Sequence, residues 1–324
     1  MSALTGIKKP VEDEMAEFEA YFSNMMRSDI PLLKIILNYI LRRKGKQMRP
    51  LLVFLSARLN GEICESTFVA ATFIELLHTA SLVHDDVVDD AQERRGALSI
   101  NALWNSKIAV LVGDYMLSKG LLISVEKHRY DMLEIVSEAV KSMSEGELLQ
   151  LQKSRKLNIK EEDYFRIIKM KTAAIISACT ACGAVSVTSD PEIIFTMKDF
   201  GENIGIAFQI RDDLLDYEGN GLTGKAPGND IKEKKITLPL IHALENSTNS
   251  KKREILSIVK SKKKTKSEIT EVINFVTENG GMQYAELCMN QYRDKALAIL
   301  DSFPESEVKD SLKEFVFYTT SRNK

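Results

Sequence analysis

Thr72-Phe73-Ile74-Glu75-Leu76-Leu77-His78-Thr79-Ala80-Ser81-Leu82-Val83-His84-Asp85-Asp86-Val87-Val88-Asp89-Asp90 is the stretch on which the fold turns. Apolar residues recur every three to four positions, and no glycine or proline interrupts the run from Glu62 to Val88. That spacing predicts a long helix. The run ends in Asp85-Asp86-Val87-Val88-Asp89, a D-D-x-x-D. Residues three and four apart share a helical face, so Asp85 and Asp89 stand side by side. Carboxylates placed this way repel one another and disfavour the helix unless a cation compensates.

The same helical spacing returns at 101–127, 130–153, 161–188 and 191–217, broken only by isolated glycines. Seven prolines and 16 glycines in 324 residues leave room for long helices, and strand signals are scarce. The expectation is an all-α protein forming one domain over residues 1–324. Helix starts are expected at Pro31, behind Asp29, and at Pro191, behind Ser189 and Asp190. A polar loop from Glu218 to Lys235 carries Gly219, Gly221, Gly224, Pro227 and Gly228, and reads as a candidate lid. The lysine-rich stretch 251–266 reads as a solvated face.

Composition narrows the function classes. With 44% hydrophobic and 28% charged residues the chain can bury a sizeable core. A net charge of −2 gives no global footprint for nucleic acid or an anionic membrane, so an anionic ligand needs locally placed cations. Cys179 and Cys182 form a C-x-x-C in an apolar helical run with no second pair. They read as small hydrophobes rather than a redox or zinc pair. The N-terminal residues lack the apolar core of a signal peptide. No apolar run is read as reaching the ~20 residues that span a bilayer. A cytoplasmic protein without an integral membrane segment is expected.

A second D-D-x-x-D, Asp212-Asp213-Leu214-Leu215-Asp216, also lies in an apolar helical stretch. One such cluster could be a solvated patch, but two make that reading unattractive. Magnesium is the natural compensator, since it takes oxygen ligands and binds one or two carboxylates together with substrate phosphates. Glu75-x-x-His78 matches half of a di-iron signature, and the required second copy is missing. Around the clusters lie Lys46 and Arg49, Arg94 and Arg95, Lys171 with Thr172, and Lys225 and Lys235. Lysine and arginine are the usual clamps for phosphate oxygens, and the set suggests a site for two polyanions.

In combination these motifs resemble the trans-isoprenyl (polyprenyl) diphosphate synthases, in particular the medium- and long-chain octaprenyl-type enzymes. The resemblance runs from Gly45 to about Leu240. It rests on Asp85 to Gly96, on Phe208-Gln209-Ile210-Arg211-Asp212-Asp213-Leu214-Leu215-Asp216, on Gly224-Lys225-Ala226-Pro227-Gly228-Asn229-Asp230, and on Lys235-Ile236-Thr237-Leu238-Pro239. Two departures are visible: Lys44-Gly45-Lys46 has lost one glycine, and Asn229 stands where an aspartate is common. Neither removes an expected ligand.

The resemblance implies one bundle of long, mostly antiparallel helices around a deep cavity, usually as a homodimer. It implies successive trans additions of isopentenyl diphosphate to an allylic diphosphate. Asp85, Asp89 and Asp212 would hold about three Mg²⁺ ions, with Asp86, Asp213 and Asp216 supporting. Arg94, Lys171, Lys225 and Lys235 would grip the allylic diphosphate. Lys46, Arg49, His78 and Arg95 would hold isopentenyl diphosphate. Thr172 and Gln209 would place polar oxygens along the nascent cation.

The prenyl tail would run beside the helix that carries Asp85. Ala80 and Ser81, one turn before it, are small where enzymes stopping at farnesyl length tend to carry an aromatic ring. The tail is therefore expected to pass towards Leu77 and Phe73, about 5.4 Å deeper per turn. A product of about C30–C50, centred near C40, is expected. Two alternatives stand beside this reading: a single-substrate terpene cyclase and a non-catalytic partner subunit. The second aspartate motif and the cations Lys46, Arg49 and Arg95 weigh against the first. The retained aspartates weigh against the second.

Overall fold

The computed structural model describes residues 3–43, 45–94, 96–218 and 227–321. Its packing divides the chain into two compact units. The first comprises Met1–Val140, Ala178–Lys198 and Glu305–Leu312, and the second Lys141–Ser177, Asp199–Pro304 and Lys313–Lys324.

The helices of the N-terminal part are α1 (Ala3–Lys8), α2 (Glu12–Met25), α3 (Pro31–Arg42), α4 (Met48–Asn60), α5 (Glu65–Val88), α6 (Ile100–Trp104) and α7 (Ser106–Glu126). A 3-10 turn, Lys9–Val11, joins α1 to α2. The two-residue strands β1 (Glu93–Arg94) and β2 (Ala97–Leu98) pair antiparallel between α5 and α6. Then come α8 (Tyr130–Lys156), α9 (Glu161–Ile168), a π-helical segment Lys169–Ala173, α10 (Ala174–Val185) and α11 (Pro191–Glu218). The chain closes with α12 (Asn229–Lys232), α13 (Leu238–Glu245), α14 (Asn249–Lys260), α15 (Lys266–Glu278), α16 (Gly281–Asp301) and α17 (Glu307–Ser321).

In the first unit α4 is buried without a break from Pro50 to Ala57. Its Phe54 sits edge-on to Phe18 at 5.7 Å and to Phe68 at 5.1 Å. Helix α5 packs closely on α7. A Cβ at Gly120 would stand 3.1 Å from the Phe73 ring, and one at Gly113 would overlap the His84 ring. In the second unit Tyr164, Ile210, Leu214, Leu238, Leu240, Val272 and Phe275 build a continuous apolar core.

The all-α expectation holds, and the differences are local. The helix expected over 101–127 is split at Asn105. That residue takes φ 77° and caps α7 by accepting the Ile108 N–H at 3.2 Å. The run expected over 161–188 contains the π segment and ends at Val185. Pro191 does follow a capping aspartate, since Asp190 Oδ1 accepts the Glu192 N–H at 2.9 Å. Pro31 does not: the residue before it is Ile30, which offers no side-chain cap. Within the expected Glu218–Lys235 loop, residues 229–232 form α12, while 219–226 fall outside the described residues. The apolar-run expectation also needs correcting. By length and composition three helical stretches, Glu65–Val88, Ser106–Glu126 and Glu161–Val185, could cross a membrane. The first and third are mostly buried in protein, and the second much less so. Cys179 and Cys182 are free, and burial pushes the Cys179 thiol up to about 12. That makes it inert, as expected of a small hydrophobe.

Candidate active site

Helix α5 ends in the first aspartate motif, with Asp89 as its C-cap and the Asp89 N–H bonded to the Asp85 carbonyl at 2.8 Å. Asp85 and Asp89 are exposed, whereas Asp86 is buried. The C-terminal end of a helix carries partial negative charge, so carboxylates there are disfavoured. Arg94 offsets part of this: its Nε donates to Asp86 Oδ1 at 2.6 Å. The β1–β2 hairpin presents Arg94, and Gly96 adopts φ 73° in its turn, where a side chain would be strained. Tyr39 fastens the hairpin to α3 by donating to the Leu98 carbonyl at 2.6 Å. No sequence motif marks Tyr39.

Beneath the hairpin lies a cavity of about 770 Å³, counting its open mouth, with Tyr39, Arg43, Glu75, His78, Asp86 and Arg94 in its wall. His78 and Arg94 thus share one cavity. Lys46 lines a separate recess with residues of α1 and α2. Arg49 occupies the first turn of α4, and its charge is felt by the Cys179 thiol. Arg95 falls outside the described residues.

In the second unit the three motif aspartates have three different surroundings. Asp212 is exposed. Asp213 is buried and accepts two hydrogen bonds, from the Tyr164 hydroxyl at 2.7 Å and from Gln209 Nε2 at 2.8 Å. Burial pushes its carboxyl up to about 8; nearby Asp230 adds to this, and the two donors oppose it. Asp216 accepts the backbone N–H groups of Asn229 and Asp230, each at 3.0 Å, and so anchors the start of α12. Burial pushes Asp230 itself up to about 6, with Asp216 adding and Lys235 opposing.

The π segment supplies the next two site residues. A π turn widens the helix by one residue and recurs at functional sites. Here it carries Lys171 and Thr172. Two glycines permit it: a Cβ at Gly205 would lie 2.5 Å from Ala173 Cα, and one at Gly146 would lie 3.0 Å from the Lys171 nitrogen. Lys171 pairs with Glu147 and donates to Gln150 Oε1 at 2.9 Å. The Thr172 hydroxyl donates to Gln209 Oε1 at 2.7 Å. Lys235 pairs with Glu233 at 2.6 Å, which raises its pKa against the effect of burial.

Lys171, Thr172, Gln209, Asp213 and Lys235 line a single pocket, together with Gln150, Tyr164, Asp230 and Thr237. The sequence reading named the first five. It missed Gln150 and Tyr164, which no motif marks, and quoted Asp230 within its loop without giving it a role. Lys225 lies outside the described residues. Among the described residues no three His, Cys, Asp or Glu side chains gather into a metal cage. A hard ion held partly by substrate oxygens does not require one. Asp85 and Asp89 at the end of α5, and Asp212 well inside α11, are exposed carboxylates of the kind that a hard ion takes.

On α5, 100° per residue puts Phe73, Leu77, Ala80 and His84 on one stripe, and Phe73 and His84 both meet α7. Ala80, Leu77 and Phe73 are buried. Ser81 lies beside the stripe and donates to the His78 carbonyl at 2.9 Å.

Comparison with known proteins agrees with this geometry. A polyprenyl synthetase family model matches residues 30–276. Octaprenyl diphosphate synthase of Escherichia coli (strain K12) is 33% identical over 310 residues, covering 95% of this chain and 96% of that one. A crystal structure of polyprenyl synthase from Caulobacter crescentus CB15, complexed with calcium and isoprenyl diphosphate, superposes with a TM-score of 0.90. It is 32% identical and covers 99% of this chain and 98% of its own. Geranylgeranyl pyrophosphate synthase from Bacteroides thetaiotaomicron is 38% identical with a TM-score of 0.84, covering 99% of this chain and all of its own. The aspartate motifs, the all-α fold and these matches lead to one conclusion: the chain belongs to the polyprenyl synthetase family and is a trans-prenyltransferase.

Proposed function

We propose that residues 1–324 act as one catalytic domain that condenses isopentenyl diphosphate with an allylic diphosphate in successive trans additions, giving a product of about C40. The observation that carries this reading is the pocket joining Lys171, Thr172, Gln209, Asp213 and Lys235, which come from separate segments of the chain. Two cations and two neutral oxygen-bearing groups around one pocket suit a diphosphate leaving group and the cation it leaves behind.

The barrier lies in separating a diphosphate anion from an allylic cation, so stabilising the leaving group is the main task. Bound Mg²⁺, about three ions as the family resemblance implies, would supply that stabilisation without proton transfer. Asp85, Asp89 and Asp212 would hold it, since exposed carboxylate oxygens suit a hard ion. Arg94, Lys171 and Lys235 bind the same diphosphate, assisted by Lys225. Each described cation rests against a carboxylate — Asp86, Glu147 and Glu233 respectively — and exchanges that partner for phosphate oxygens. Asp86 and Asp213 orient neighbours, and Asp216 fixes the start of α12. Lys46, Arg49, His78 and Arg95 hold isopentenyl diphosphate without bridging metal, so it does not ionise. Ala80 and Ser81 let the tail pass towards Leu77 and Phe73.

The protein works as a homodimer in the cytoplasm, with no part for nucleic acid and no membrane-spanning segment. Exposed Leu111, Leu122 and Val125 on α7 support the dimer. Diphosphate release from farnesyl diphosphate, followed with Mg²⁺ present, tests the reaction. Release that requires isopentenyl diphosphate is expected. Release without it would instead show a cyclase.

A further inference from the structure

Gln209 presents two chemically different ends, and its neighbours decide which way they face. Once ionised, Asp213 can only accept. It takes the Gln209 Nε2 hydrogen on Oδ1 at 2.8 Å and the Tyr164 hydroxyl hydrogen on Oδ2 at 2.7 Å. With its NH₂ turned to Asp213, Gln209 must turn its oxygen to Thr172, whose hydroxyl donates to it at 2.7 Å. The Thr172 hydrogen is thereby committed, and only oxygen lone pairs of Thr172 remain for the pocket that it lines. A lone pair is the end that favours a developing carbocation, and a hydroxyl hydrogen is the end that opposes it.

We propose that Tyr164 is a positioning residue: through Asp213 and Gln209 it fixes the direction of the Thr172 hydroxyl, so that the pocket meets the allylic cation with oxygen. This rests on the proposed placement of Thr172 along that cation. Tyr164 sits in the core, 3% exposed, on α9, while Asp213 and Gln209 lie on α11. Its ring packs edge-on to Phe165 at 5.4 Å, which leaves the hydroxyl little freedom to leave Asp213. Without that hydroxyl the Asp213 carboxylate loses one of its two donors and can swing away from Gln209. The amide is then no longer held one way round.

The experiment is a double-mutant cycle on the full-length enzyme with Mg²⁺, isopentenyl diphosphate and farnesyl diphosphate. Tyr164→Phe is expected to lower kcat about 10-fold with both KM values unchanged, because the cation exists only in the transition state. Thr172→Val should lower kcat by a similar factor, and the double variant should be no slower than Thr172→Val alone. A merely structural tyrosine would give multiplying losses. Multiplying losses, or a Tyr164→Phe enzyme with unchanged kcat, would overturn the relay. A Thr172→Val enzyme as fast as the parent would remove Thr172 from the cation and the relay with it, which separates failure of that placement from failure of the relay alone. Should Tyr164→Phe melt below the assay temperature, Gln209→Met breaks the same chain and is read against Thr172→Val in the same way.

Discussion

Single residues show a division of labour that the repeated D-D-x-x-D conceals. In each motif the first aspartate is exposed and the second is buried against a donor: Arg94 for Asp86, Tyr164 and Gln209 for Asp213. Asp85, in the last turn of α5, would as a proposed metal ligand serve function against stability, because it adds a carboxylate to the negative end of a helix. Asp85→Asn is therefore expected to cut kcat by about 10² to 10³. The same change should stabilise the metal-free protein by about 0.5 kcal/mol at low salt. Steady-state kinetics and melting curves in chelator check the two halves. A variant that is both slower and less stable would show that Asp85 is structural. The motif aspartates were legible in the sequence because their spacing is itself the signal. Tyr164, Gln150 and Tyr39 were not, because their partners lie far along the chain: Tyr164 reaches Asp213, and Tyr39 reaches Leu98.

Among the elements, apolar periodicity revealed α5, α8 and α11 almost to their ends. It could not reveal the break at Asn105, where a left-handed residue caps the next helix, nor the β1–β2 hairpin, which is too short to show alternation. The π segment was equally hidden. Its cause is packing, in that Gly146 and Gly205 let two helices approach a widened turn. Gly205→Ala would place a methyl 2.5 Å from Ala173 Cα, a backbone atom that cannot swing aside. It should cost about 1–3 kcal/mol in urea unfolding. It should also lower kcat, since Lys171 and Thr172 move with the turn. A Gly205→Ala protein of full stability and activity would show that α11 can retreat freely. On α5, Ala80→Phe should block the stripe above Leu77 and shorten the product seen by mass spectrometry. An unchanged length in both Ala80→Phe and Ser81→Phe would place the floor elsewhere.

At the scale of the whole molecule, α7 leaves an apolar stripe exposed. Helix α7 exposes Leu111 by 59%, Leu122 by 54% and Val125 by 43%, and these three fall on one stripe. Apolar area of this kind marks an interface. Leu111→Glu together with Leu122→Glu should convert a dimer to a monomer in analytical ultracentrifugation. A parent protein that sediments as a monomer would contradict the dimer. Product length is also a property of the whole chain, and the relatives do not decide it. A geranylgeranyl synthase is 38% identical and an octaprenyl synthase 33%, so the small residues at Ala80 and Ser81 carry the argument. Mass spectrometry of the product formed by the enzyme with Mg²⁺, isopentenyl diphosphate and farnesyl diphosphate decides chain length and chemistry together. One all-trans product near C40 is expected. Farnesyl diphosphate left unextended, with turnover of a shorter starter instead, would contradict it.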